Sequence, residues 1–236
     1  CTRYALERLD LHESLYGTLP QTIGRLANLR GLDLSRSGLT GPIPKSLGRL
    51  RFLEVLDLSS NELTGPIPTF HAKLAKLDLS YNHLKGSIPE SFGKLPALIY
   101  LNLRSNRLTG PIPASLGGLV TVQAIWLSSN MLNGTIPVSI GQLAKLQYLD
   151  LSSNSLEGVI FEDHFANLSM LKQLDTSSNI RLAFNVSREW IPSFQLVSLQ
   201  LSSCNIGNEF PQWLRHQRKL VRLALSNTTI SGPLPP

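Results

Sequence analysis

The chain has 236 residues and a formal net charge of +6, with 16% charged residues where a globular protein carries about 25%. Forty-six leucines, 17 glycines and 15 prolines rule out a disordered chain, which lacks apolar mass, and a long coiled coil, which does not tolerate proline. The longest mostly apolar stretch, residues 116–127, is short of the roughly 20 residues that span a bilayer, and no basic start with an apolar core opens the chain as a signal peptide would.

A unit LxxLxLxxN recurs along the chain. Its second leucine falls at Leu9, Leu32, Leu56, Leu77, Leu101, Ile125, Leu149, Leu174, Leu199 and Leu223, at intervals of 21 to 25 residues. Ten units of about 24 residues fill positions 1–236 and predict one solenoid domain with no room for a second. The first half of each unit, as in LDLSSN at residues 56–61, alternates leucine with polar residues at period two. This predicts a short strand buried on one face. Ten such strands, stacked at about 4.8 Å, make a concave parallel sheet with a continuous core of inward leucines. The Asn after each strand sits where the chain bends inward, and its amide can bond backbone groups that no sheet partner reaches. Asn61, Asn82, Asn106, Asn130, Asn154 and Asn179 form this ladder, and Cys204 takes the slot in the ninth unit. The second half reads LTGPIP at residues 39–44, 63–68 and 108–113. Glycine permits a tight bend, proline fixes φ, and the few residues left in the unit are enough only for a 3₁₀ turn on an irregular convex side.

The pattern breaks in three places. The fourth interval is 21 residues because positions 69–77 delete part of the convex turn, so a local flattening of curvature is expected. In the middle, the Asp column (Asp10, Asp33, Asp57, Asp78, Asp150, Asp175) gives way to Asn102 and Trp126, beside Tyr100, Ala124, Tyr148 and Arg104. Alternation places these on the concave, solvent-facing side. Exposed aromatics next to an arginine have the composition of a binding hot spot, and equally that of cross-strand packing in which Trp126 covers the tyrosines. Tyr100, Asn102, Arg104, Trp126, Tyr148 and Asp150 are therefore the candidate ligand-binding residues, while the Asp column itself is expected to be a solubilising stripe. The eighth unit loses GxIP over residues 179–194, and a bulged loop carrying Arg181, Arg188, Glu189 and Trp190 is expected there. The densest basic run, residues 213–222, falls on the convex side without stacking aromatics, which argues against nucleic acid. It reads as a solvated face or as a contact for an acidic wall polymer.

The full unit LxxLxLSSNxLxGxIPxSLGxL is similar to plant-type leucine-rich repeats, found in cell-surface receptor kinases, in receptor-like proteins without kinases, and in secreted inhibitors of polygalacturonases. The later units carry a narrower resemblance, to the receptor-like proteins that include fungal-xylanase receptors and apple scab resistance proteins. Its carriers are Glu157, Gly158 and Val159; His164 and Phe165; Trp190, Ile191 and Pro192; Cys204; and Phe210, Pro211, Gln212, Trp213 and Leu214. The resemblance implies the α/β leucine-rich repeat solenoid, a right-handed superhelix of strands and 3₁₀ turns, with the Trp190 segment docking its loop. Members of that group have a leader, cysteine-sealed caps, a non-repeat island, one membrane helix and a short tail. Only interior repeats are recognisable here, so the chain is expected to be an inner part of such an ectodomain, with membrane attachment and co-receptor contact through parts outside it.

Nothing in the residues points to catalysis. GxSxG, HExxH, GxxxxGK[ST], GxGxxG and CxxC are absent, and the five histidines are dispersed over different units without metal-ligand spacing. No catalytic residue, metal or cofactor is expected. Cys1 and Cys204 lie eight strand spacings apart, roughly 38 Å, far beyond the reach of a disulfide; Cys204 suits a buried structural slot, and Cys1 is expected to serve a partner outside the chain. Asn133, Asn167, Asn185 and Asn227 each open an N-x-S/T sequon and are glycosylation candidates if the chain is extracellular. The favoured reading is the extracellular recognition module of a plant receptor-like protein, which the resemblance implies binds a microbial protein or peptide and signals through a receptor-kinase co-receptor and adaptor kinase. A secreted inhibitor of cell-wall hydrolases and the ectodomain of a peptide-sensing receptor kinase are the alternatives.

Overall fold

The computed structural model describes residues 5–231; Cys1 lies outside them. A ten-stranded parallel sheet runs in chain order through Arg8–Asp10, Gly31–Asp33, Val55–Asp57, Lys76–Asp78, Tyr100–Asn102, Ala124–Trp126, Tyr148–Asp150, Gln173–Asp175, Ser198–Gln200 and Arg222–Ala224. The register is constant from strand to strand: Leu32 pairs Leu56, Leu56 pairs Leu77, and Ile125 sits between Leu101 and Leu149. Constant register comes from the period-two pattern, since a slip of one residue would turn every leucine to solvent. These central residues are fully or almost fully buried from Leu32 to Leu199, each contributing about 1.5–3 kcal/mol, and belong to one continuous core.

A second parallel sheet, of eight strands, lies where the sequence suggests only a bend. It comprises Tyr16–Thr18, Gly38–Pro42, Glu62–Gly65, His83–Gly86, Arg107–Gly110, Met131–Gly134, Ser155–Ile160 and Arg181–Phe184. The L-x-G segment alternates too, with Leu108 buried between the exposed Arg107 and Thr109. Gly110 closes that strand at φ +80°, a conformation that strains any residue with a Cβ.

Seven 3₁₀ helices, among the described residues, line the third side: Gln21–Arg25, Leu47–Arg49, Glu90–Lys94, Ala114–Gly118, Val138–Gln142, Glu162–Phe165 and Gln212–His216. No such helix lies between Glu62–Gly65 and Lys76–Asp78, the short fourth interval, or between Arg181–Phe184 and Ser198–Gln200, where GxIP is lost. In the first gap Phe70 is buried 6.1 Å from Phe92. The glycine of SLG is set by close stacking of these turns, since a Cβ on Gly93 would lie 2.0 Å from the Ser115 carbonyl oxygen.

The bend after each strand of the first sheet holds a left-handed residue in every unit: Glu13, Arg36, Ser60, Tyr81, Ser105, Ser129, Ser153, Ser178, Ser203 and Asn227 have φ between 51° and 61°. In six of these units the next residue is the ladder asparagine. Asn106 donates through Nδ2 to the carbonyls of Leu79 (2.9 Å), Leu103 (3.1 Å) and Arg104 (3.3 Å), and its Oδ1 accepts the Leu84 N–H (3.0 Å). Asn61, Asn82, Asn130, Asn154 and Asn179 repeat this set of bonds. Cys204, buried, donates its thiol hydrogen to the Thr176 carbonyl (3.2 Å), and burial pushes the thiol pKa up. Sulfur supplies no equivalent of Oδ1 for an amide one unit back, and the second sheet ends at this level, leaving a single bridge between Ala183 and Asn205.

Replacing Asn106 with Ala should cost about 3 kcal/mol or more, because the buried Leu79 carbonyl and Leu84 amide lose partners at about 1–3 kcal/mol each. Urea denaturation monitored by circular dichroism checks this, with Glu62→Ala on the exposed side of a neighbouring strand as a control that should stay within about 0.5 kcal/mol.

Candidate functional site

The middle of the concave sheet is the place where the exposed columns change chemistry. Tyr100, Trp126 and Tyr148 stand on three adjacent strands with constant register, which brings their rings together: Trp126 lies 4.5 Å from Tyr100, tilted by 44°, and 6.1 Å from Tyr148, nearly parallel at 16°. All three rings are half-buried. Ala124, expected at the solvent face, is 4% exposed, because a small side chain flanked by Tyr100 and Tyr148 on the neighbouring strands and followed by Trp126 is covered by them. Hot spot and cross-strand packing are therefore not exclusive here, since the stack both covers Ala124 and keeps ring surface toward solvent.

Polar partners fix the stack on one side. The Lys76 ammonium reaches Asp57 Oδ2 (2.8 Å) and lies 5.7 Å from the Tyr100 ring centre. Asn102 donates through Nδ2 to Asp78 Oδ2 (3.1 Å) and to the Tyr100 hydroxyl (3.3 Å), and the Asn102 Oδ1 accepts the Arg104 N–H (3.2 Å). The Arg104 guanidinium lies 5.7 Å from the ring centre of Tyr81, a left-handed residue whose position in the bend gave no sign of a role in its sequence. Burial and the Asp78 charge raise the Tyr100 phenol. Burial alone would raise Asp57, but hydrogen bonds from Lys76 and Ser59 outweigh it and hold the carboxyl below its ordinary value.

The Asp column departs from its expected role. Asp33, Asp57, Asp78 and Asp150 each accept through Oδ1 the backbone N–H (3.0 Å) and the hydroxyl (2.6 Å) of the serine two residues on, and Asp175 does the same with Ser177. Asp57 and Asp78 are only 7% exposed. From Asp33 onward the column is a row of strand-end clamps, not a solubilising stripe, because a short Asx side chain bonds its own backbone two residues on more readily than it extends to water; Asp10 stays exposed and pairs with His12. Trp126 breaks the row. Its serine, Ser128, is 2% exposed and its hydroxyl has no hydrogen-bond partner.

Beyond the stack, Trp126, Tyr148, Asp150, Gln173, Asp175 and Gln200 line a depression of about 80 Å³. Burial, with the Asp150 charge adding to it, raises the Asp175 carboxyl despite the Ser177 bonds. Among the described residues no group of three or more His, Cys, Asp or Glu is placed to hold a metal ion, and no helix is long and apolar enough to cross a membrane.

The remaining candidates lie elsewhere. Asn133, Asn167, Asn185 and Asn227 are all exposed, spread over the second sheet and the turns. The expected bulge begins later than residue 179: Arg181–Phe184 stays in register with Ser155–Ile160, and only the chain after it loops out. There Trp190 packs within 5.9 Å of Phe165, Phe194 and Trp213, while Arg188 pairs with Glu209 at 2.6 Å on the exposed rim. In the basic run Arg215, Arg218 and Lys219 are exposed, but Gln217 is buried, its Oε1 accepting the Leu196 N–H (2.8 Å).

Known proteins share both the repeat and its stacking. Two family descriptions of the leucine-rich repeat match, one over residues 72–132 and the other over 28–50, 52–74, 145–168 and 195–217. Receptor-like protein EIX2 of Solanum lycopersicum is 46% identical over 76 residues, which is 32% of this chain and 7% of that protein. The Arabidopsis receptor kinase HAESA, solved with the peptide hormone IDA and the co-receptor SERK1, superposes with a TM-score of 0.83 at 34% identity, over 94% of this chain and 38% of that one. A plant ice-binding protein superposes with a TM-score of 0.82 at 35% identity, over 98% of this chain and 74% of that one.

Two outcomes are expected. Ser128→Ala should leave the melting temperature unchanged or raise it, whereas Ser152→Ala, which removes a made hydrogen bond, should cost about 1 kcal/mol; thermal denaturation of the two side by side checks this. Lys76→Met should lower stability at pH 7, and the gap to the parent chain should close as pH falls below the ordinary Asp value of 3.8. A lowered carboxyl stabilises only above its unfolded pKa, and that contribution is lost as it protonates in the folded state.

Proposed function

The chain belongs to the leucine-rich repeat family, and on that premise we propose that it is the ligand-recognition part of a plant cell-surface receptor-like protein, working by binding and not by catalysis. Its ligand is a secreted microbial protein or peptide received on the concave sheet around Trp126, and signalling passes to a kinase-bearing co-receptor through regions outside these 236 residues. The observation that carries this reading is the Trp126 slot. Nine other units keep a small or polar side chain there, and the exception leaves a buried serine hydroxyl unpaired, a cost of about 1–3 kcal/mol that brings no hydrogen bond in return. The aromatic stack that results has the composition of a binding centre. The match to EIX2 and the peptide held by HAESA support the same direction. In this reading the parent protein is anchored in the plasma membrane with these repeats outside the cell, and Asn133, Asn167, Asn185 and Asn227 carry glycans, their exposure leaving each open to modification.

Binding of purified secreted fungal proteins, a xylanase among them, to the immobilised chain checks this reading. At least one should bind, and Trp126→Asp, which restores the clamp to Ser128, should weaken it at least about tenfold, the loss of one central contact, while Arg218→Glu on the convex side leaves it unchanged. Loss of binding in Arg218→Glu alone moves the site off the concave sheet. If nothing binds and the chain instead inhibits a polygalacturonase, it is a hydrolase inhibitor.

A further inference from the structure

The concave carboxylates differ in what meets their second oxygen. From Asp33 to Asp175, each aspartate's Oδ1 is taken by the serine two residues on. At Asp57, Oδ2 takes the Lys76 ammonium, and at Asp78, Oδ2 takes the Asn102 amide. At Asp150 and Asp175 the next strands offer Gln173, Ser198 and Gln200, and among the described residues none of them donates to either carboxylate. Two half-buried aspartates thus sit in register on adjacent strands, whose backbones are spaced about 4.8 Å apart, with unpaired acceptors at the rim of the 80 Å³ depression.

The other wall of that depression is aromatic. Trp126 and Tyr148 lie nearly parallel beside it, and the space holds roughly two to three water-sized groups. The protein itself shows how this chemistry is satisfied, because Lys76 places a cation between Asp57 and the Tyr100 ring on the same sheet. At the Trp126 end the carboxylates and the rings are present, but the nearest cation, Arg104, acts on Asp175 only through its charge and forms no ion pair with either carboxylate. The indole that forms the wall is also the residue whose presence leaves Ser128 unpaired, an observation independent of the carboxylates.

We propose that this depression is the seat for one arginine side chain of the ligand, its guanidinium stacked against Trp126 and Tyr148 and its N–H groups donating to the outer oxygens of Asp150 and Asp175. A planar, forked donor matches two neighbouring carboxylates and a flat ring face better than a lysine ammonium does. This rests on the concave reading above and narrows it, from a protein or peptide ligand to one that presents an arginine.

The test uses the whole chain with acetyl-arginine amide as probe and acetyl-citrulline amide, of the same shape without charge, as its control. The three tryptophans give three indole N–H signals in a ¹H–¹⁵N spectrum, assigned with Trp126→Phe. The arginine probe should move the Trp126 signal saturably and leave those of Trp190 and Trp213 in place, and citrulline should bind at least about tenfold more weakly, the loss of a charge-assisted bond. Asp150→Asn with Asp175→Asn should abolish the shift. That variant is expected to fold, because Asn102 already fills the same slot and accepts the Arg104 N–H. Equal response to citrulline, or an arginine shift that survives the double substitution, overturns the proposal. Either result leaves the concave reading to its own test, the effect of Trp126→Asp on binding of a fungal protein.

Discussion

A buried side-chain amide decides this architecture. Where the chain leaves the first sheet, the backbone passes through a left-handed residue that is never glycine in the ladder units, at a cost of about 1–2 kcal/mol. It also leaves carbonyls and amides of two units pointing inward. The asparagine next in the chain carries both donors and an acceptor on a short, stiff stem, so one side chain closes bonds within its own bend and to the unit before it. Stacking the units is what makes the asparagine worth burying, and burying the asparagine is what fixes the stacking. Leucine burial supplies most of the energy, but it is non-directional. The amides add the direction.

The same logic accounts for where the second sheet stops. Its strands are short and interrupted by glycine, and six of the eight are anchored near their start by an amide bonded to the Asn Oδ1 of the next unit. When Cys204 takes the slot, the thiol still reaches a carbonyl but supplies no such acceptor, and pairing falls to a single bridge. The loop released at that level is held by a different device, the packing of Trp190 among Phe165, Phe194 and Trp213. Directional polar order is exchanged for aromatic burial over one unit, after which the first sheet continues undisturbed through Ser198–Gln200.

The Asp clamps show how function enters such a repeat. A clamp costs nothing in sequence terms, since any Asp followed by x-Ser makes it, and it leaves one carboxylate oxygen free on the concave side. At Asp57 and Asp78 that oxygen is used internally by Lys76 and Asn102. Past Trp126 it is unused, and the indole displaces a clamp altogether. A surface whose scaffold bonds are all closed offers a ligand little. One with a displaced clamp, an uncovered ring face and two unpaired carboxylates offers directional contacts.

The sequence by itself determined the period, the inward leucines, the register and the positions of the asparagines, because a period of two and a repeat of about 24 residues leave one way to bury the apolar side of every strand. It also marked the places where a 3₁₀ helix would be lost, since a deleted turn and a missing GxIP are visible without coordinates. It did not determine the second sheet, because L-x-G is too short to signal a strand until a neighbouring copy lies alongside it. Nor did it separate clamp from stripe, or reveal that Ala124 is covered and Ser128 unpaired. Those depend on which atoms of adjacent units meet at hydrogen-bond distance, and only the stacking of one turn on the next decides that.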